Sequence, residues 1–220
     1  MVPVSHTKFV DGVTKRQGAY LPHWTRDAAS YFVTFRTNDS LPAEVAERFR
    51  AEIRSRSRIL RLRLGRDLTE QESRQIRWKL AGQLERYLDN AHGECLLRQP
   101  QLATIVQETL LFFDEQHFRL DAWCVMPNHV HVVVTPYAGY ELASILLSWK
   151  THSAKMINKA VGRRGRFWQR EYYDRLIRHQ AAFDGIVSYV LKNPIKAGIP
   201  NWKFFGTSAN VVAQEGQVIA

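Results

Sequence analysis

Two histidines separated by one valine give the clearest chemical signal in the sequence. His129 and His131 fall in a predicted strand over residues 129–135. Because side chains alternate across a strand, both imidazoles project from one face, about 7 Å apart along the strand, while Val130 points to the core. Two such imidazoles can share one divalent metal ion if a third polar group comes from elsewhere. Two histidines on a half-exposed sheet face would give the same pattern.

A tyrosine and an asparagine four positions apart form the second signal. Tyr189 and Asn193 lie in and just after a predicted helix over residues 180–192, and their spacing puts them on one helix face. Tyr189 can also be a core aromatic whose hydroxyl reaches the surface. Asn193 precedes Pro194 and can instead cap a fresh helical turn. The spacing alone does not decide between these roles.

Aromatic and basic residues are interleaved over residues 165–178, after a basic turn. Arginines can bind phosphates while aromatic rings stack on unpaired bases, so the segment is typical of a surface for single-stranded nucleic acid. An amphipathic strand with a charged outer face has the same composition. The candidate DNA-contacting residues here and in the helix that follows are Arg163, Arg164, Arg166, Trp168, Gln169, Arg170, Arg175, Lys192 and Lys196.

The charge balance also favours a polyanionic partner. The 220 residues include 31 Lys and Arg against 21 Asp and Glu, which gives a net charge of +10 and a pI near 9.9. A protein this basic usually meets a polyanion, and the planar fork of arginine suits phosphate. The alternative is a solvated basic surface without a partner.

The composition excludes several other classes of protein. A hydrophobic share of 45% and a charged share of 24% are typical of a globular domain and exclude global disorder. No stretch approaches the ~20 apolar residues of a membrane-spanning helix. Two cysteines, Cys95 and Cys124, exclude a disulfide framework and a four-cysteine zinc site. We therefore expect a cytoplasmic protein without membrane association.

The predicted elements alternate between strands and helices. Strands are predicted at residues 31–36, 118–126, 129–135 and, with a polar interruption, 167–177. Helices are predicted as a pair between residues 43 and 92, and singly at 100–116, 140–161 and 180–192. Hairpin strands with helices returning between them predict an α+β fold, a ferredoxin-like antiparallel sheet with helices packed on its faces.

Residues 30–200 are predicted to form one domain of this kind. The charged stretch at about residues 43–92 carries a dense arginine series, and we interpret it as a helical hairpin inserted into the domain. It is either a solvated excursion or a basic clamp on nucleic acid. Residues 1–29 are predicted to be a mostly irregular N-terminal arm, and residues 201–220 a C-terminal tail.

Four sequence blocks in order resemble the REP-associated tyrosine transposases, which are single-tyrosine HUH nucleases acting on single-stranded DNA. The blocks are Leu21-Pro22-His23-Trp24 with Tyr31-Phe32-Val33-Thr34-Phe35-Arg36, then Met126-Pro127-Asn128-His129-Val130-His131, then Phe167-Trp168-Gln169 with Tyr172-Tyr173-Asp174-Arg175, and finally Tyr189 with Asn193-Pro194 and Ala197-Gly198. The resemblance extends from about residue 20 to residue 200 and implies the HUH nuclease fold. The main departure from the family pattern is the helical insertion, a part of the chain that varies within the family.

The resemblance implies a role for each candidate site residue. His129 and His131 match the HUH pair that binds Mg²⁺ or Mn²⁺, and Asn193 lies where relatives place a further polar ligand. Tyr189 matches the nucleophile, whose hydroxyl attacks a DNA phosphodiester to give a 5′-phosphotyrosine and a free 3′-OH. The implied substrate is the single-stranded hairpin of a repetitive extragenic palindromic element. A water or the DNA itself can take the tyrosine proton.

Two other functions stay open from the sequence. The same charges and aromatic residues suit a DNA-hairpin-binding protein without cleavage activity, and a histidine–metal hydrolase of small phosphoesters is a more remote reading. No small-molecule cofactor is expected, and the chain is compatible with a monomer or a homodimer.

Overall fold

The computed structural model describes residues 14–17, 22–25 and 29–208. These residues fall into two compact units: one holds the described residues up to Asn38 and from Leu96 onward, and the other holds Asp39–Cys95. No helix in the described ranges combines the length and the apolarity that crossing a membrane requires.

Seven strands and five α-helices make up the described ranges. The strands are β1 (Thr14–Gln17), β2 (Pro22–Thr25), β3 (Tyr31–Arg36), β4 (Phe118–Val125), β5 (His129–Pro136), β6 (Tyr173–Leu176) and β7 (Phe205–Gly206). The helices are α1 (Ala43–Leu64), α2 (Glu70–Asp89), α3 (Pro100–Leu111), α4 (Leu142–Ala160) and α5 (Gln180–Lys196), with a short 3₁₀ turn at Leu96–Arg98.

A five-stranded antiparallel sheet forms the centre of the first unit, in the spatial order β6-β3-β5-β4-β7. On one face, alternate residues such as Val33, Val130 and Val132 pack with buried residues of α3 and α4, which include Leu102 and Trp149. This face is the main hydrophobic core, and Val130 points into it as its place in the strand predicts.

The opposite face of the sheet packs against α5. Phe32 on β3, Cys124 on β4 and Val133 on β5 are buried there with Val190 of α5. Because β5 is buried on both faces, its sequence is apolar at nearly every position except the two histidines and Thr135. The α+β class predicted from the sequence is thereby confirmed, with helices on both faces of an antiparallel sheet.

The second unit contains α1 and α2, which contact each other as a helical hairpin. The helix α1 ends at Gly65, which adopts a left-handed conformation (φ 64°) and donates its N–H to the Arg61 carbonyl. A capping box starts α2, because Thr69 accepts from the Glu72 N–H while the Glu72 carboxylate accepts from the Thr69 N–H.

Several boundaries differ from the sequence prediction. Residues 14–17 and 22–25 form a two-stranded antiparallel sheet, β1–β2, so the prediction of an irregular arm is wrong there. The polar sequence Thr-Lys-Arg-Gln of β1 carries no apolar alternation that would have revealed a strand. The rest of the arm up to residue 28, including the Leu21 of the first sequence block, and tail residues 209–220 lie outside the described residues.

Two further differences concern the regions around the candidate site. Of the predicted strand 167–177, only residues 173–176 form a strand, β6. Trp168 makes an isolated bridge to Thr37, and the polar residues between Trp168 and β6 interrupt the ladder. The helix α5 continues through Pro194 to Lys196, so Asn193 lies inside a helix and does not cap a new one. Pro194 has no backbone N–H, so one i→i−4 hydrogen bond is missing where α5 passes through it.

Substitutions of two glycines in the α1–α2 hairpin should change the free energy of unfolding in opposite directions. Gly65→Ala should lower the free energy of unfolding by about 1 kcal/mol, because a Cβ disfavours the left-handed conformation. Gly82→Ala, within α2 and with open space around an added Cβ, should raise it by roughly 0.5–1 kcal/mol. Urea denaturation followed by circular dichroism measures both, and the same sign for the two variants would contradict the assigned conformations.

Candidate active site

The register between β3 and β5 brings a set of polar side chains onto one face of the sheet. His129 lies opposite Arg36, and His131 lies opposite Thr34. Paired residues in an antiparallel ladder share a face, so all four belong to the side that packs against α5. The next pair on this face is Phe32 and Val133, which begins the apolar part of the packing.

The two imidazoles converge on each other. Their Nε2 atoms are 3.0 Å apart, and their ring centroids are 4.6 Å apart at an interplanar angle of 76°. Neither histidine has any exposed surface, and the same is true of the neighbouring Asn128. The prediction that His129 and His131 project from one face of a strand is confirmed.

Each imidazole is oriented through its other nitrogen. His129 Nδ1 lies 2.7 Å from Asn128 Oδ1, which can only accept, so Nδ1 carries the proton and Nε2 presents its lone pair. His131 Nδ1 lies 2.8 Å from Thr34 Oγ1, a hydroxyl that can accept an N–H and thereby leave the second Nε2 lone pair free. Phe32 stacks on the His131 ring at 5.5 Å and limits its rotation.

Burial keeps both imidazoles neutral. Desolvation lowers the pKa of His129 to about 3, and desolvation together with the neighbouring His129 lowers the pKa of His131 well below 6.5. At neutral pH no proton therefore competes with a cation for the two lone pairs.

Tyr189 lies directly beside this pair. Its ring centroid is 5.6 Å from that of His131 and 5.9 Å from that of Phe32, in edge-on contacts at 68° and 84°. The residue is partly buried within the cluster between α5 and the sheet. The fold thus brings together a phenol and two imidazoles that are about sixty positions apart in the chain.

Asn193 follows Tyr189 by one helical turn and is fully buried. Both polar atoms of its amide, Oδ1 and Nδ2, have no hydrogen-bond partner among the described residues. A buried polar group without a partner costs about 1–3 kcal/mol, so this amide is expected to meet a water molecule, an ion or a ligand.

The spacing of the two imidazoles fits a divalent cation. Two imidazole lone pairs 3.0 Å apart match the separation of about 3 Å between neighbouring ligands of an octahedral ion bound at about 2.1 Å. The orphaned amide oxygen of Asn193 offers a hard oxygen ligand of the kind that Mg²⁺ and Mn²⁺ accept. Without a cation, two lone pairs at this distance would repel each other unless a proton lay between them.

A lysine from the end of α5 lies over the tyrosine ring. The Nζ of Lys196 is 4.7 Å from the Tyr189 centroid, within the range of a cation–π contact. Lys192, four residues earlier, is exposed, and no ring contact is recorded for it among the described residues. The two lysines predicted to contact DNA therefore differ in their surroundings.

The arginines predicted to contact DNA lie on the surface or on the imidazole face of the sheet. Arg163, Arg164, Arg166 and Arg170 are exposed in the segment after α4. Arg175 on β6 lies opposite Phe32 and therefore on the same face as the imidazoles.

Two predicted contacts are tied into the fold. Trp168 is buried, packs against Phe35 at 4.8 Å and donates its Nε1–H to Ser153 Oγ at 2.9 Å. The prediction that its ring stacks on DNA is therefore corrected: a tryptophan beside arginines looks exposed in sequence, but this one fills the core. The Gln169 amide N–H₂ donates to the Asn38 carbonyl at 2.7 Å, which fixes the loop before α1.

Sequence reasoning missed three residues that position the imidazoles, namely Thr34, Asn128 and Phe32. Asn128 is the immediate neighbour of His129 in the sequence, so its amide could have been suspected of contacting that imidazole. Thr34 and Phe32 depend on the β3–β5 register, which pairs residues about 100 positions apart and leaves no local signal.

The buried imidazoles predict a specific pH dependence of stability in the metal-free protein. Because folding lowers both pKa values, the unfolded chain binds more protons below pH 6.5, and the free energy of unfolding falls as the pH decreases toward 3. The limiting slope is about 1.4 kcal/mol per pH unit for each imidazole. Urea denaturation at a series of pH values measures it.

The double variant His129→Gln/His131→Gln is the control for that measurement. It should show a shallower decrease than the original chain between pH 6.5 and pH 5. An equally steep decrease in the variant would mean that other groups cause the acid sensitivity.

Comparisons with known proteins agree with the motif-based resemblance. Residues 98–193 match the family model described as "Transposase IS200 like", a segment that runs from the start of α3 into α5. A REP-associated tyrosine transposase of Escherichia coli (strain K12) is 27% identical over 95 residues, which are 41% of this chain and 54% of that protein. The chain thus matches about half the length of this relative.

The fold is similar to that of a solved structure. A REP-associated tyrosine transposase bound to a REP hairpin superposes with a TM-score of 0.50 and 16% sequence identity, covering 92% of this chain and 87% of that chain. At this identity the similarity concerns the fold alone. Sequence and fold together confirm that this chain resembles the REP-associated tyrosine transposases.

Proposed function

We propose that this protein is a metal-dependent single-stranded DNA endonuclease and strand transferase that uses Tyr189 as its nucleophile. The observation that carries the proposal is the placement of the Tyr189 ring 5.6 Å from the His131 ring, whose Nε2 lies 3.0 Å from that of His129. The match of residues 98–193 to a transposase family model supports the same class of DNA-processing reaction.

The covalent step is a transesterification at phosphorus. The Tyr189 oxygen attacks a DNA phosphodiester, and the bond from phosphorus to the 3′ oxygen breaks. The phenol proton leaves to solvent, and the departing 3′ oxygen takes up a proton from solvent. A phenol with an ordinary pKa near 10 is also a good leaving group, so a 3′-OH of another DNA end can attack the phosphotyrosine and rejoin the strand.

His129, His131 and Asn193 are the residues that would hold the metal. Mg²⁺ or Mn²⁺ bound there supplies Lewis-acid stabilisation of the charge on a non-bridging phosphate oxygen. The neutral imidazoles leave the ion its full positive charge. Asn128 and Thr34 contact the Nδ1 atoms and so orient the Nε2 atoms of His129 and His131 toward each other. The buried surroundings exclude bulk water, which strengthens the electrostatic attraction to phosphate.

Lys196 has a role in positioning the nucleophile. Its ammonium over the Tyr189 ring attracts the negative face of the ring and limits its rotation. A positive charge at this distance also favours the phenolate over the phenol, both when the oxygen attacks and when it leaves. In this proposal Lys196 acts through Tyr189, whereas Lys192, which is also exposed, is a phosphate contact.

The proposed substrate is a DNA hairpin with a single-stranded flank. One structural neighbour is a REP-associated tyrosine transposase bound to a REP hairpin, and the net charge of +10 suits a polyanion. The exposed arginines at positions 163, 164, 166 and 170, together with Arg175 on the imidazole face of the sheet, are the proposed phosphate contacts.

The nucleophile is tested by covalent trapping. Tyr189→Phe should abolish the DNA-linked protein band that forms with a hairpin oligonucleotide and Mn²⁺ on a denaturing gel, while hairpin affinity changes less than roughly twofold, because only one hydroxyl is lost. Tyr173→Phe is the matched control, since Tyr173 lies opposite Thr34 on the same sheet face, and it should still form the band.

Two results would contradict this assignment. An adduct that persists in Tyr189→Phe and disappears in Tyr173→Phe would make Tyr173 the nucleophile. Tight hairpin binding without any adduct under Mg²⁺ or Mn²⁺ would instead favour a DNA-hairpin-binding protein without cleavage activity.

The role of Lys196 predicts a change in the pH profile of adduct formation. Lys196→Gln should slow the reaction by roughly two- to fivefold at neutral pH and shift its profile to higher pH, because the phenolate loses a favourable charge. Lys196→Arg should restore most of the rate. Lys192→Gln removes the same charge away from the ring, so it should weaken DNA binding without moving the profile. Identical profiles for Lys196→Gln and Lys192→Gln would rule out the positioning role.

A further inference from the structure

The helix α1 carries most of the basic charge of the second unit. It has seven arginines against three glutamates, whereas α2 has four basic and four acidic residues. The residues from Ile53 to Arg66 include six arginines and no acidic residue. The acidic side chains of α1 are thus confined to its first half.

Four of these arginines lie in one line along the helix. Arg50, Arg54, Arg58 and Arg61 are spaced at four, four and three residues, which places them on a single stripe, and all four are exposed. We call this stripe the arginine row. With a rise of 1.5 Å per residue, it is roughly 16 Å long, comparable with the axial rise of about five base pairs of duplex DNA.

Neighbouring carboxylates neutralise the arginine row only in part. Glu47 accepts hydrogen bonds from both Arg54 and Arg50, which lowers the pKa of its carboxyl group. Arg61 is 3.8 Å from Asp67, a fully solvated carboxylate that salt screens readily. Arg58 has no ion-pair partner among the described residues.

From this arrangement we propose that the arginine row binds the phosphate backbone of duplex DNA without reading its sequence. Surfaces for single-stranded nucleic acid interleave aromatic rings with their cations, but α1 has no aromatic residue from Arg50 onward. Arginine forks on a rigid helix match the regularly spaced phosphates of a duplex. The surface extends the proposed function with a second DNA contact, and it requires no cleavage.

An anionic membrane is the competing partner. Ile59, Leu62 and Leu64 are exposed near the C-terminal end of α1, at 62%, 74% and 39% of their surface. A helix that lies in a membrane interface needs a continuous apolar face, and other large apolar residues of α1, such as Ile53 and Leu60, are partly buried within the protein. Three exposed side chains at one end of the helix are too few for such a face, so duplex DNA is the favoured partner.

The test is fluorescence anisotropy with a labelled duplex that lacks any palindrome, titrated with salt. Arg58→Gln/Arg61→Gln should weaken binding and reduce the slope of log affinity against log salt by about 1.8, because each lost phosphate contact contributes about 0.9. Lys79→Gln/Arg86→Gln removes the same charge from exposed positions of α2 and should leave the slope nearly unchanged. Circular dichroism should show equal helix content, because glutamine is a good helix former.

Three results would overturn the proposal: an unchanged slope in the α1 variant, an equal loss in the α2 variant, or binding to phosphatidylserine vesicles in place of duplex DNA. Adduct formation with a hairpin oligonucleotide is measured in parallel on the same variants. An adduct that forms normally while duplex binding shows no dependence on the arginine row would refute this inference and leave the proposed function intact.

Discussion

The candidate active site depends on one contact, in which the buried Nε2 atoms of His129 and His131 lie 3.0 Å apart. Other groups fix both rings at this distance, Asn128 and Thr34 through the Nδ1 atoms and Phe32 through stacking. Thr34 and Phe32 come from β3, so the β3–β5 register sets the geometry. A slip by one residue would turn both imidazoles into the opposite core and destroy the site.

The helix α5 supplies the other half of the site from a single face. Tyr189, Asn193 and Lys196 follow one another at spacings of four and three residues, so one rigid element carries the proposed nucleophile, the proposed oxygen ligand and a cation together. The packing of Val190 against the sheet holds this face toward the imidazoles. The orphaned amide of Asn193 is a local cost to stability, which a functional site commonly carries and the surrounding packing offsets.

The sequence was informative where the signal is local. The alternation in β5 predicted the shared face of His129 and His131, and the helical spacing predicted the shared face of Tyr189 and Asn193. The strands at residues 31–36, 118–126 and 129–135 were also predicted, as was the α+β class. Strand register and burial were not, because they depend on contacts between distant segments; Trp168 shows this, since its neighbours are basic but its ring lies in the core. Thr34 and Phe32, which orient the His131 ring from another strand, were missed for the same reason.

The most direct measurement of the central claim is pulsed electron paramagnetic resonance of the protein loaded with Mn²⁺. If the two imidazoles form one site, the spectrum contains hyperfine couplings from two histidine nitrogens, and each single substitution, His129→Gln or His131→Gln, removes one of them. A Mn²⁺ signal without nitrogen coupling, or one that is unchanged by both substitutions, would contradict the account.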